Sequence, residues 1–354
     1  AYDWIGYGGL AFVEGGVVYP ARRGRKLIMV VKGREGVPYD WLWGPYATPD
    51  GRRVAYAGSR REEAGLRFLV VVNGVTRGGY SFIGKRFFVF SADSRHYAYL
   101  AYRGDELVVV VDGREQGIGR RSQEDFPGLA LSANGKHLAY GMPRSIGGPW
   151  AVTLDGREGK DYPGIAFKSL TFSPDGSRFA YAAEVEGGWL VVADGEEGKR
   201  YNAIEADSLL FSPDSGHLAY IAGRAGEQFV VVDGAEGSAY DSIVKGSLVY
   251  SPDSEHLACV ALRDGRRFVV LDGKRGSDYE EILGPVFSPD GRHLAYAASA
   301  GGDTVIMVDE VPVTLERSTF PSFARLAFDS RSHLHTLAQR GHDLLRVEVE
   351  IAQQ

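Results

Sequence analysis

The sequence offers a single cysteine, Cys259. It therefore holds neither an internal disulfide framework nor a cysteine-ligated zinc or iron–sulfur centre, and no cofactor is expected. No apolar run approaches the roughly 20 residues that a helix needs to cross a bilayer. Positive charge is also short: 40 Lys and Arg stand against 46 Asp and Glu, a net charge of −6. Nucleic acids and anionic membranes demand clustered cations, so neither is expected as a partner. Enzyme signatures are missing as well. There is no G-x-S-x-G elbow, no H-E-x-x-H, no Walker loop and no dinucleotide fingerprint. Thermolabile side chains are scarce, with three Asn, six Gln and three Met, which points to a hot habitat. The chain begins Ala1-Tyr2-Asp3 without Met, an end that a cleaved secretory leader leaves, so an extracellular or periplasmic location is expected.

What is present is a core and a repeat. The residues are 44% hydrophobic and 12% aromatic, too apolar for a disordered chain. Length alone, 354 residues, would suggest about two domains. The repeat argues otherwise. Clean copies of one turn stand at Phe172-Ser173-Pro174-Asp175-Gly176, Phe211-Ser212-Pro213-Asp214-Ser215, Tyr250-Ser251-Pro252-Asp253-Ser254 and Phe287-Ser288-Pro289-Asp290-Gly291. Weaker copies begin at Ala47, Phe90 and Leu131, and degraded ones at Phe12 and Phe328. Nine units at a period near 40 residues, with strand patterns and no helical periodicity, belong to a β-propeller.

Each unit follows one grammar. A short apolar segment such as Ser208–Phe211 enters the Ser-Pro-Asp turn, and a second strand follows, as in His217-Leu218-Ala219-Tyr220. A β-branched third strand, Phe229-Val230-Val231-Val232, ends in Asp233-Gly234, and the unit closes with Gly237 and Tyr240-Asp241-Ser242-Ile243. This grammar resembles the propeller repeats of the TolB-type, WD-repeat-like family, over essentially the whole chain. The Gly-His and Trp-Asp pairs of true WD repeats are absent. The nine counted units predict a single closed all-β propeller over residues 1–354, with four-stranded antiparallel blades: nine, or eight if one end unit is accessory. The resemblance implies use as a scaffold, a periplasmic partner or an appendage to an enzyme. The last segment, Leu344–Ile351, reads as a strand that either completes the last blade or pairs with the N-terminal segment.

Candidate site residues fall into two groups. Residues at equivalent positions read as structural. His96, His137, His217, His256, His293 and His333 share one repeat position, which Arg53 and Arg178 occupy elsewhere. Five of these imidazoles follow the turn Asp or Asn by three residues, so a bond to the turn carboxylate (Asp214, Asp253 or Asp290, with Asp175 facing Arg178) explains both residue types. A metal does not, since Arg is no metal ligand. The Asp-Gly pairs at Asp112, Asp155, Asp194, Asp233 and Asp272 read as tight turns rather than calcium loops.

Residues that break the repeat read as functional candidates. Trp4, Trp41 and Phe82, joined by Trp43, form an aromatic arc that either contacts a partner or glycan or fills gaps between blades. Two further irregularities are Arg120-Arg121-Ser122-Gln123-Glu124-Asp125 and the loop from Gly141 to Trp150 that carries Arg144. Packing is expected of Trp41 and contact of Trp150. The function expected is a non-catalytic interaction scaffold that binds protein, including other copies of itself, and assembles into oligomers, filaments or tubes. The rivals are a glycosidase or lyase with channel-lining acids, and a TolB-like periplasmic binding module.

Overall fold

A computed structural model describes residues 2–6, 9–63, 65–83, 88–120, 128–145, 147–301, 303–315, 319 and 325–351. Among them there is no α-helix, only strands and two single 3-10 turns, Phe167–Ser169 and Ala206–Ser208. The chain divides into two compact units, residues 1–176 and 177–354.

In the first unit, Gly16–Arg23, Lys26–Val31 and Arg34–Tyr39 form an antiparallel sheet, with Trp4–Ile5 and Ala11–Val13 both pairing with Gly16–Arg23. Three sheets of four sequential strands follow. They are Trp41–Ala47 to Val75–Tyr80, Phe88–Phe90 to Arg114–Arg120, and Leu129–Leu131 to Arg157–Tyr162. In the second unit, Phe179–Val185, Gly188–Ala193 and Glu196–Glu197 pair in order. Next comes Leu218–Arg224, Glu227–Val232 and Ala235–Glu236, with Ala203–Ile204 and Leu210–Phe211 both on Leu218–Arg224. The sheet around Leu257–Arg263 repeats that plan, and Glu281–Phe287 to Val311–Leu315 is four-stranded. Ala327–Phe328, His333–Arg340 and Asp343–Glu350 close the series. The final segment thus pairs with His333–Arg340.

Several second strands carry long buried runs. Val54 to Ser59 and Tyr97 to Tyr102 are inaccessible at every position, whereas alternation would be expected of a sheet with one wet face. Sheets pack on each other through these runs. One cluster joins Val70 and Val72 of one sheet to Tyr97, Tyr99 and Val110 of the next; another joins Ile221 to Cys259 and Phe268. Each large aliphatic side chain buried in this way contributes about 1.5–3 kcal/mol.

The Ser-Pro-Asp motif is a self-contained turn. The Ser173 hydroxyl donates to Asp175 Oδ1 at 2.7 Å, and in the next unit His217 N–H donates to Ser212 Oγ at 2.9 Å. The residue after Asp sits at positive φ, 78° at Gly176 and 67° at Ser215, which explains why Gly or a small polar residue stands there. One boundary differs from the sequence reading. Tyr240 does close its own sheet, bridging Gln228, but Ser242–Ile243 pairs with Leu262 and Ala261 and so opens the next sheet. The Tyr-Asp-x-Ile segment is the corner between sheets, because its backbone has already turned by Asp241.

Candidate functional site

The histidines meet a different carboxylate from the one expected. His96, His137, His217, His256 and His293 each place Nδ1 on the Asp that ends the third strand: Asp112, Asp155, Asp233, Asp272 and Asp309, at 2.5–2.8 Å. Arg178 does the same with Asp194 at 2.9 Å. The turn carboxylates Asp214, Asp253 and Asp290 bond instead to their own serines, and the serine hydroxyl is the main reason these groups titrate below the usual carboxylate range. The reason is conformational. Asp233 lies at φ 48° and Gly234 at φ 81°, a hairpin turn with two left-handed residues, which aims the carboxylate back along the second strand. Its Oδ1 accepts Leu218 N–H at 2.9 Å, leaving Oδ2 for the imidazole. This bond raises the His217 pKa above its ordinary value.

Two positions depart from the pattern. Asn73 replaces Asp in the second unit, so Arg53 turns to the Ser94 and Arg95 carbonyls. His333 meets Ser330 and Ser332, and His335 takes Asp329 at 2.8 Å. Among the described residues no three His, Cys, Asp or Glu side chains converge as a metal site.

Arg144 also proves to be a repeat position. It bonds Asp161 at 2.6 Å and Glu158, both on the strand Arg157–Tyr162. Arg23–Glu35, Arg103–Glu115 and Arg224–Glu236 are the equivalent pairs in other sheets. The signal was legible in Gly-x-Glu following the third strand, as in Gly113-Arg114-Glu115 and Gly234-Ala235-Glu236, with Arg at the end of the second strand. The Trp150 ring is half-buried at 4.8 Å from Phe167. The packing expected of Trp41 is not found, since its side chain is 63% exposed. Residues 121–125 and Ile146 lie outside the described set.

Trp41 and Trp43 share one face of Trp41–Ala47, since successive side chains alternate. Trp43 stacks on Phe68 at 5.8 Å, Phe68 meets Phe82 edge-on at 5.6 Å, and Phe82 lies 6.4 Å from Tyr102. Phe68 and Trp41 both register with Ser59, placing them in one cross-strand row. The structure thus brings Trp43 and Phe82 together on a ladder through Phe68, with the exposed Trp41 on the same strand face as Trp43. Trp4 sits half-buried on its own strand opposite Arg22.

No known protein family matches the sequence, and no curated protein does. Among solved structures the chain is similar to a eukaryotic initiation factor, at a TM-score of 0.53 and 13% identity over 86% of each chain. It is also similar to the Dos1 propeller, at a TM-score of 0.42 and 15% identity over 87% of this chain and 92% of that one. TolB from Acinetobacter baumannii matches at a TM-score of 0.32 and 15% identity, over 75% and 81% of the two chains. Likeness at such identity concerns the fold alone. The chain is an all-β protein of propeller-type fold, built of repeated antiparallel sheets.

Proposed function

We propose that this chain is a non-catalytic propeller scaffold that binds protein, including further copies of itself, through the surface of its first three repeat units. One observation carries the reading. Of the eleven large hydrophobic side chains exposed among the described residues, eight lie between Ile5 and Phe82, and none lies between Phe82 and Val311. Phe12 at 78% and Trp41 at 63% are the most open of the eight. Isolated exposed apolar residues are ordinary, but this concentration beside an aromatic ladder fits a contact surface. Aromatic residues are also the ones most enriched at binding hot spots. Export and a single nine-unit ring belong to the same proposal, the latter on the strength of the repeat count.

The absence of catalysis is supported by the use of the titratable groups. Each His–Asp pair recurs at an equivalent position and is explained by the hairpin it closes. The exposed Trp41 ring favours a second reading, a platform on which a glycan stacks. Incubation with a polysaccharide panel separates these from a carbohydrate-active enzyme. The scaffold reading expects no new reducing ends and no unsaturated products; turnover abolished by one Asp or Glu substitution would overturn it.

A further inference from the structure

Six repeat units carry a buried tyrosine at one position of the second strand: Tyr56, Tyr99, Tyr140, Tyr181, Tyr220 and Tyr296. The register confirms the equivalence, with Tyr56 opposite Val71, Tyr99 opposite Val110, Tyr220 opposite Val231 and Tyr296 opposite Met307. Opposite Val270 the corresponding residue is Cys259.

The missing ring had a defined place. In four of the other units the tyrosine stands edge-on to the tyrosine that closes the preceding sheet. Tyr39–Tyr56, Tyr80–Tyr99, Tyr201–Tyr220 and Tyr279–Tyr296 lie 6.0–6.2 Å apart at 69–84°. The hydroxyl also reaches a glycine of that sheet: Tyr56 Oη comes within 3.4 Å of a Cβ placed on Gly36, and Tyr220 Oη within 4.0 Å of one on Gly198. Tyr240 is the equivalent closing residue and keeps its edge contact with Phe268, at 5.5 Å, as Tyr201 does with Phe229, at 5.6 Å. Beside it, however, stands a thiol, and the only atom near a Cβ placed on Gly237 is the Val230 carbonyl.

The vacated slot belongs to a cavity of about 440 Å³ lined by Tyr240, Gly237, Cys259, Val270 and Tyr250. That volume lies within the range of small-molecule sites, roughly 300–1,000 Å³. Tyr250 is a second departure. The clean copies of its motif have Phe at 172, 211 and 287, whereas here a hydroxyl is added, and it is buried without a hydrogen-bond partner. Buried polar groups left unpaired are rare and call for an explanation. Burial pushes the Cys259 thiol up to about 12, so it remains protonated and forms an apolar wall rather than a nucleophile. Glu236, Glu255 and Asp272 also line the cavity, and no Lys or Arg does, which disfavours an anion.

We propose that this cavity binds a phenol-class ligand, a single aromatic ring bearing a hydroxyl, seated beside Tyr240 where four other units place their own tyrosine. The Tyr250 hydroxyl, buried and unpaired at the cavity wall, is the hydrogen-bonding group that those units lack, reached by the ligand when the Tyr250 side chain turns toward it.

The test uses p-cresol as probe, with binding read by calorimetric titration and by the melting temperature at rising ligand concentration. The expected result is one site per chain, at least tenfold weaker in Cys259→Tyr and several-fold weaker in Tyr250→Phe. Toluene should bind less well than p-cresol. Circular dichroism and an undiminished melting temperature for Cys259→Tyr show that a filled slot, rather than a damaged fold, removed the site. Tyr220→Cys should create a second site, a gain that misfolding does not produce. A Gly-Tyr-Gly peptide that binds as p-cresol does would assign the ring to a partner's tyrosine; binding of p-cresol alone would assign it to a free phenol. Undiminished binding by Cys259→Tyr, or no binding by the wild-type chain at millimolar p-cresol, would overturn the proposal.

Discussion

Asp233→Ala removes two things that the hairpin needs. Leu218 N–H loses its acceptor at 2.9 Å, and a residue without a side-chain oxygen is left at φ 48°. An orphaned donor costs about 1–3 kcal/mol, toward the lower end here because the Asp233 side chain is 42% exposed and water substitutes in part. The left-handed conformation costs alanine about 1–2 kcal/mol. Together the loss should be about 2–4 kcal/mol. Asp233→Asn keeps the Oδ1 acceptor and tolerates the conformation, so it should cost about 1 kcal/mol or less. The molecule contains its own control: Asn73 holds Val54 N–H at 2.9 Å from φ 49°. Urea unfolding of both variants measures the difference as a lowered midpoint at unchanged slope. Equal damage from Asn and Ala would refute the reasoning, since the imidazole–carboxylate charge pair, and not the backbone turn, would then be the important bond.

Three further outcomes are expected. Trp150→Ala should lower the melting temperature by removing the packing on Phe167, while leaving association unchanged. His217, its pKa raised by Asp233, contributes stability that is fully present below its unfolded pKa and lost as pH rises through the folded value. The gap in stability between wild type and His217→Ala should therefore narrow as pH rises from the acid side past neutrality, measured by urea midpoints at each pH. Differential scanning calorimetry should give one transition if the nine repeats fold as a single domain; two separate transitions would count against that.

The fold was legible because each repeat states its turn chemistry and its strand pattern in the same order. Pro174, Asp175 and Gly176 mark a turn, and Val230 to Val232 followed by Asp233-Gly234 marks a strand with its hairpin. Partner choice was not legible. The sequence places Asp214 three residues before His217 and Asp233 sixteen residues after it, and only the left-handed turn at Asp233 decides between them. Arg144 looked unit-specific because its loop is two residues longer than those of Arg103 and Arg224, 14 against 12 residues to the glutamate, which hid an ordinary repeat pair. Trp41 read as a ring filling a gap between blades, yet its side chain stands 63% exposed. The Tyr-to-Cys exchange at 259 was visible as a residue and silent as a cavity, since its meaning depends on the ring of Tyr240 across the sheet boundary.

The central claim is that the exposed aromatic surface of the first units is where the chain associates. Light scattering across a concentration series, on the wild-type protein and on Trp41→Ala, tests it most directly. A hot-spot tryptophan is worth about 2 kcal/mol or more, roughly thirtyfold in association. The account predicts a mass that grows with concentration in the wild type and stays low in the variant, at an unchanged melting temperature. A wild-type chain that remains a monomer at every concentration, or a variant that associates as readily, would contradict it.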